Sequence, residues 1–186
     1  MIRLVSLTSA VTRAVVDPAA FTALTGATLD DVRPLVEAMV AQDAAHRART
    51  GPTPGWGGFL VVDNATNRVV GACGFVNAPD AEGAVEIGYG TFPPYERRGF
   101  AGASCAALLA RAARTGQVRV VRAHTLPVPN ASTRILARHG FLQVGTAEDP
   151  DEGTVWRWEH VLEVPGGATA DAATRATMMH QGGGRT

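Results

Sequence analysis

The chain has 186 residues, 46% of them hydrophobic and 18% charged, which suits one well-cored domain and argues against wholesale disorder. Seventeen basic side chains balance seventeen acidic ones, so no global positive field exists to gather nucleic acid. Two cysteines, Cys73 and Cys105, provide neither a disulfide framework nor metal-ligand spacing.

The N-terminus has neither a charged leader with an apolar run nor a stretch near the ~20 apolar residues that span a bilayer, so a cytoplasmic protein is expected, without membrane contact. Ile2 to Leu7 alternates apolar and polar residues and predicts a first strand. Asp17-Pro18 reads as a cap and first-turn pair for a short helix to about Leu24. Val32, Leu35, Val36, Met39 and Val40 then recur at helical spacing. Pro34 fits that helix only in its first turn, which places the cap at Asp31 rather than Thr28. The loop Thr50 to Gly58 carries one large aromatic, Trp56, among small residues, as a pocket rim would.

From Phe59 the pattern turns to strands. FLVVD, a turn at Asn64 to Asn67 and VVGACGFV form a hairpin, and VEIGYGTF follows after the loop Asn77 to Gly83. PPYERRG leads into a helix with the stripe Ala101, Cys105, Leu108, Leu109 and Ala112, ending near Gly116. VRVVRAHT, the helix NASTRILARHG, FLQVGTA and TVWRWEHVL complete a mixed sheet with helices on both faces. One domain spans 1–164. Residues 165–186, rich in Gly, Ala and Thr without apolar periodicity, read as a flexible tail.

The stretch Tyr95 to Ser104, YERRGFAGAS, sits between strand and helix with glycines where the helix begins. A helix N-terminus leaves its first N–H groups unpaired and partially positive, so a pyrophosphate is held well there. On this feature alone, a Gly-started helix with two solvated arginines is an equal reading. The spacing is neither a Walker A loop nor GxGxxG.

Two linked stretches, VEIGYGTFPPYERRGFA and AHTLPVPNASTRILARHGF, resemble the GNAT superfamily of acetyl-CoA-dependent N-acetyltransferases, in particular its Rim-type ribosomal-protein branch, over roughly Trp56 to Trp158. The resemblance implies an α/β (α+β) fold: a mostly antiparallel mixed sheet of about seven strands, helices on both faces, and a splayed V between the fourth and fifth strands. It implies acetyl-CoA as co-substrate with no metal, an amine acceptor, and a monomer or homodimer.

The family pattern Gln/Arg-x-x-Gly-x-Gly/Ala maps onto Glu96, Arg97, Arg98, Gly99, Phe100 and Ala101, with Gly102 next. Glu96 departs from it, setting a carboxylate beside the pyrophosphate, which Arg97 and Arg98 offset. The resemblance gives a bulged strand whose Gly90, Thr91 and Phe92 pair with the pantetheine arm, an N–H near Phe92 polarising the thioester carbonyl. It gives Asn130, Ser132 and Arg134 to the coenzyme side; helix capping explains Asn130 and Ser132 equally.

Glu86 maps onto the general base, acting through water, a reading preferred over that of a structural carboxylate paired to Arg or Lys on the sheet. Where many relatives carry an acidic Tyr this chain has Leu136, which leaves Ser132 or water to protonate the thiolate. Trp56, Phe75, Asn77, Glu86 and the loop Pro79 to Gly83 fall on the acceptor side. His124, His139 and His160 are scattered and read as structural, Cys105 as core, and Tyr89, on the strand face opposite Glu86, as packing. The acceptor on this reading is a protein N-terminus or small amine; alternatives are an antibiotic- or polyamine-modifying acetyltransferase and a non-catalytic acetyl-CoA sensor.

Overall fold

In a computed structural model, residues 1–51 and 53–162 are described; the tail expected over 165–186 lies outside them. Strand β1 (Ile2–Ser6) is followed by helices α1 (Ser9–Ala14) and α2 (Pro18–Thr25), a 3-10 turn Asp30–Val32, and α3 (Arg33–Thr50). Then come β2 (Gly58–Asp63), β3 (Val69–Phe75), β4 (Ala84–Thr91), a 3-10 turn Pro93–Tyr95, and α4 (Phe100–Thr115). The chain continues through β5 (Val120–Thr125), α5 (Ala131–Arg138), β6 (Leu142–Asp149) and β7 (Gly153–Val161). Among the described residues no helix is long and apolar enough to cross a membrane.

The seven strands lie in the order β1-β2-β3-β4-β5-β7-β6, antiparallel except for the parallel β4–β5 pair. That is the mixed, mostly antiparallel sheet expected, and its one parallel junction is where it opens. Pairing of β4 with β5 runs only from Ala84↔Val120 to Glu86↔Arg122, although β4 continues to Thr91 and β5 to Thr125.

Side-chain alternation divides the sheet into two faces. Cys73, Phe75, Ile87 and Tyr89 share the face that receives α4, where Cys105, Leu108 and Ala112 are buried. Leu60, Ala72, Gly74, Gly88 and Gly90 point the other way, and Leu60 is buried in one core with Phe21, Val32 and Val36 of the N-terminal helices.

The N-terminal helices depart from expectation in two ways. Helix α1, which is too short to show apolar periodicity, starts at Thr8, whose hydroxyl accepts a hydrogen bond from the Val11 N–H. Helix α3 has no side-chain cap at Asp31, because the 3-10 turn feeds directly into it and Pro34 lies in its first turn. Thr28 instead bonds to the β2–β3 hairpin, through Thr28 N–H to the Asn67 carbonyl and Val69 N–H to the Thr28 carbonyl. Of the expected α3 stripe, Val32 and Val36 are fully buried, Met39 and Val40 partly, and Leu35 is exposed. Asp17 caps α2 as expected, accepting from the N–H groups of Ala19 and Ala20.

Candidate active site

The fork between β4 and β5 leaves backbone groups of β4 without a strand partner. Phe92 donates its N–H to the Val70 carbonyl at 2.9 Å, and Val76 donates to the Glu86 carbonyl at 3.0 Å. The register between these points is unbroken, from Gly71↔Thr91 to Phe75↔Ile87. In an antiparallel ladder the bonding direction alternates, so even-numbered residues of β4 face β3, and Tyr89 and Thr91 turn their N–H and C=O groups into the fork. This corrects two expectations: the β3–β4 ladder carries no bulge, and the Phe92 N–H is committed to Val70 rather than free.

A cavity of about 760 Å³ occupies the α4 side of the fork. Tyr89, Gly90 and Thr91 form its strand wall, and Gly99, Phe100, Ala101 and Gly102 its helical wall. Gly99 adopts φ +84° and Arg97 φ +57°, left-handed conformations in the turn that leads into α4, whose first N–H groups have no side-chain cap. Ser132 and Arg134 line the opposite wall with Arg138 and His139. Three arginines, Arg97, Arg134 and Arg138, thus stand against the single carboxylate of Glu96.

Arg98 is not part of this wall; its guanidinium lies 5.8 Å from the Tyr95 ring centroid and 5.2 Å from that of Phe100, which locks the loop instead. Phe92 and Asn130 also lie outside the lining. Asn130 forms a reciprocal cap with Thr133, each side chain accepting from the other's N–H at 3.0 Å, and borders a neighbouring hollow of about 380 Å³ that also touches Ser132 and His124. Arg138 was not singled out from the sequence, although it is one turn past Arg134 on the same helix face, a readable signal, and His139, read there as structural, lines the cavity.

On the opposite face of the sheet, Glu86, Gly88 and Gly90 follow one another at strand period. Beside the two glycines a groove of about 310 Å³ runs past Leu7, Met39, Ala72 and Gly74, and Glu86 shares its face of the sheet without lining it. A Cβ at Gly88 or Gly90 would meet nothing within 4 Å, so the missing side chains are what keep this groove open. Its one charged liner, Asp43, is paired to Arg47 at 2.7 Å. Tyr89 and Gly90 line both the groove and the large cavity, so the two meet across a single strand.

The acceptor-side candidates Trp56 and Phe75 are both buried. They are 8% and 5% exposed and packed edge to face, centroids 4.9 Å apart, because alternation turns Phe75 to the α4 face. Phe75 still lines the groove; Trp56 does not. Asn77 is exposed in the turn after β3. In the loop Pro79 to Gly83, Asp80 and Glu82 are held by Arg122 at 2.9 and 3.6 Å, and Arg122 also reaches Glu159 at 3.1 Å.

Glu86 has a partner that sequence reading set aside. Its Oε1 lies 2.9 Å from Nδ1 of His124 on β5, both side chains being about a quarter exposed, at 29% and 23%. No Arg or Lys pairs with Glu86 among the described residues. Tyr89 packs against Cys105 with its hydroxyl buried, and burial pushes its ionisation above the usual phenol range, so it stays neutral. Leu136 is 1% exposed and fills core where a phenol would otherwise stand.

A family model described as an acetyltransferase (GNAT) domain matches residues 8–142. No curated protein matches the sequence. Among solved structures, the fold is similar to RimL, a ribosomal L7/L12 alpha-N-protein acetyltransferase in complex with coenzyme A, at TM-score 0.60 and 19% identity over 88% of this chain and 95% of that one. An acetyltransferase from Salmonella typhimurium that modifies the N-terminal serine of 50S ribosomal subunit protein L7/L12 gives TM-score 0.60 at 18% identity, over 87% and 95%. A ribosomal-protein-S5-alanine acetyltransferase from Vibrio fischeri gives 0.57 at 15%, over 86% and 91%.

Proposed function

Since the chain belongs to the GNAT acetyltransferase family, we propose that it moves an acetyl group from acetyl-CoA to a primary amine, by direct attack in a ternary complex. The observation that carries this reading is the meeting of the cavity and the groove at Tyr89 and Gly90. A thioester lying in the fork from one face is reached by a nucleophile arriving from the other.

The residues of the large cavity fit coenzyme A. The left-handed turn at Arg97 and Gly99 and the free N–H groups of α4 suit a pyrophosphate, and Arg97, Arg134 and Arg138 outweigh the Glu96 carboxylate. The fork-facing backbone of Tyr89 and Thr91 suits a pantetheine amide, as an added strand would pair. When bound, acetyl-CoA supplies an activated acyl group on a thiolate leaving group.

The chain's own residues then have three tasks. Glu86, on the groove face, takes a proton from the incoming ammonium, directly or through water. A backbone N–H of the fork polarises the carbonyl, with that of Thr91 or Tyr89 replacing that of Phe92. Ser132, which borders both the cavity and the smaller hollow, or water, protonates the departing thiolate.

A protein N-terminus is the acceptor favoured by the activities of the RimL and S5-alanine acetyltransferases that share the fold. An extended groove lined by glycines, its one charged liner Asp43 already paired to Arg47, suits a peptide backbone better than a polycation. Asp80 and Glu82, which would attract an aminoglycoside or polyamine, are engaged by Arg122. Calorimetric titration with acetyl-CoA, then thiol-release assays with peptides, polyamines and aminoglycosides, tests the reading. Binding with release on peptides is expected; binding without release on any amine favours a sensor, and absence of binding overturns the assignment.

A further inference from the structure

We propose that His124 is a positioning residue for the reaction, holding the Glu86 carboxylate at the mouth of the fork. The inference rests on the reading of Glu86 as the base, and adds a second residue to it. Glu86 forms the last paired position of β4, opposite Arg122, and His124 lies two residues further along β5 on the same face. The pair therefore spans the point at which the strands separate. Nδ1 of His124 stands 2.9 Å from Glu86 Oε1.

The tautomer follows from the other ring nitrogen. Nε2 of His124 is buried and has no hydrogen-bond partner among the described residues. A buried N–H left without an acceptor is costlier than a buried lone pair left without a donor, so the proton belongs on Nδ1, where it is donated to Glu86. Burial of Nε2 also rules it out as the atom that meets the amine. Besides Glu86, the charged groups around the ring are Arg122 on β5, Arg157 opposite it on β7, and Asp149 and Glu152 of the β6–β7 turn, which border the same hollow. Neither arginine bonds to Glu86, and no bond to Oε2 occurs among the described residues, which leaves that oxygen to the amine or its water.

With Oε1 fixed by His124, the proton from the ammonium goes to Oε2 of Glu86, and the neutral amine attacks the thioester carbonyl. As the C–N bond forms and the C–S bond breaks, the nitrogen sheds its second proton, which reaches the departing thiolate through Ser132 or water, so that amide and thiol leave and Glu86 returns its own proton to solvent. His124 neither gains nor loses a proton in this sequence. Its contribution is the carboxylate's geometry, which a donor of the same reach can replace. Asparagine places an amide N–H close to where Nδ1–H stands; alanine does not.

The test compares His124→Ala, His124→Asn, Glu86→Gln and the Glu86→Gln/His124→Ala double variant in thiol release with a serine-initiated peptide or spermidine. Acetyl-CoA affinity and melting temperature are recorded for each. The expected result is a fall in kcat of about 10- to 100-fold for His124→Ala with acetyl-CoA affinity unchanged, as for removal of a residue that orients a reactive group. His124→Asn recovers most of that loss, and the double variant is no slower than Glu86→Gln. Wild-type kcat in His124→Ala, no recovery in His124→Asn, or multiplying losses in the double variant would each overturn the proposal.

If Glu86→Gln is slow and His124→Ala is not, the proposal fails and the reading of Glu86 stands. If Glu86→Gln is as fast as wild type, both fail. Nitrogen-15 NMR of histidine-labelled wild-type protein decides independently of any variant's folding or acceptor: a proton on Nδ1 of His124 is expected, and a proton on Nε2 alone overturns the assignment.

Discussion

Gly71 on β3 and Gly90 on β4 approach so closely that a Cβ on Gly71 would clash with the Gly90 carbonyl oxygen and crowd Cα of Thr91. The obstacle is backbone on the strand that walls both the cavity and the groove, so it cannot swing aside as a flexible side chain would. Gly71→Ala is expected to destabilise the fold by about 1–3 kcal/mol, the usual range for overpacking, and to weaken acetyl-CoA binding by displacing β4. Urea denaturation with calorimetric titration checks both; unchanged stability would mean that β4 is not fixed by this contact.

Gly99 tests the cradle in a different way. A Cβ there meets nothing within 4 Å, but φ is +84°, a conformation that costs a β-branched residue about 1–3 kcal/mol. Gly99→Val is expected to keep the fold and lower acetyl-CoA affinity at least about tenfold, by turning the first α4 N–H groups away from the ligand. Unaltered affinity would remove the pyrophosphate from this turn.

Arg134 and Arg138 project from α5 into the same cavity. Replacing either with Ala should weaken acetyl-CoA by about tenfold, the scale of one charge-assisted hydrogen bond, and flatten the dependence of affinity on ionic strength. The salt dependence is the discriminating readout, since loss of packing alone would leave it unchanged.

Gly88 separates acceptor from coenzyme. Its side-chain position opens into the groove and not into the cavity, so Gly88→Val should raise KM for the acceptor while leaving acetyl-CoA affinity near that of wild type. The opposite pattern would exchange the roles of the two hollows.

Cys73 and Cys105 should be inert in the native protein. Burial pushes each thiol from its ordinary 9.0 up to about 12, so neither supplies thiolate near pH 8. Thiol reagents should modify neither residue before unfolding and both after it. Because the folded values are raised, this burial contributes stability that is complete below pH 9 and is lost as pH rises toward 12.

Much of this arrangement is legible in the residues. The apolar runs of β2 and β3, the turn near Asn67, and the Gly-bearing strand-to-helix step at YERRGFA are local patterns, and each forms where it was expected. Helix α1 escapes detection because six residues hold too little periodicity, and its hydroxyl cap at Thr8 resembles any surface threonine. Trp56 shows what tertiary packing adds: it does line a hollow of about 400 Å³ with Arg111 and Arg114, but its ring packs edge to face on Phe75 and is only 8% exposed.

By itself, the sequence determined the order of the strands and of the helices other than α1, and the stretch that forms the turn before α4, because periodicity, Gly and Pro act over a few residues. Only the tertiary structure decided which backbone groups of β4 enter the fork, that Trp56 is core, and that His124 bonds to Glu86, 38 positions away in the chain. Those outcomes depend on register between strands, and a slip of one residue would send every side chain to the other face.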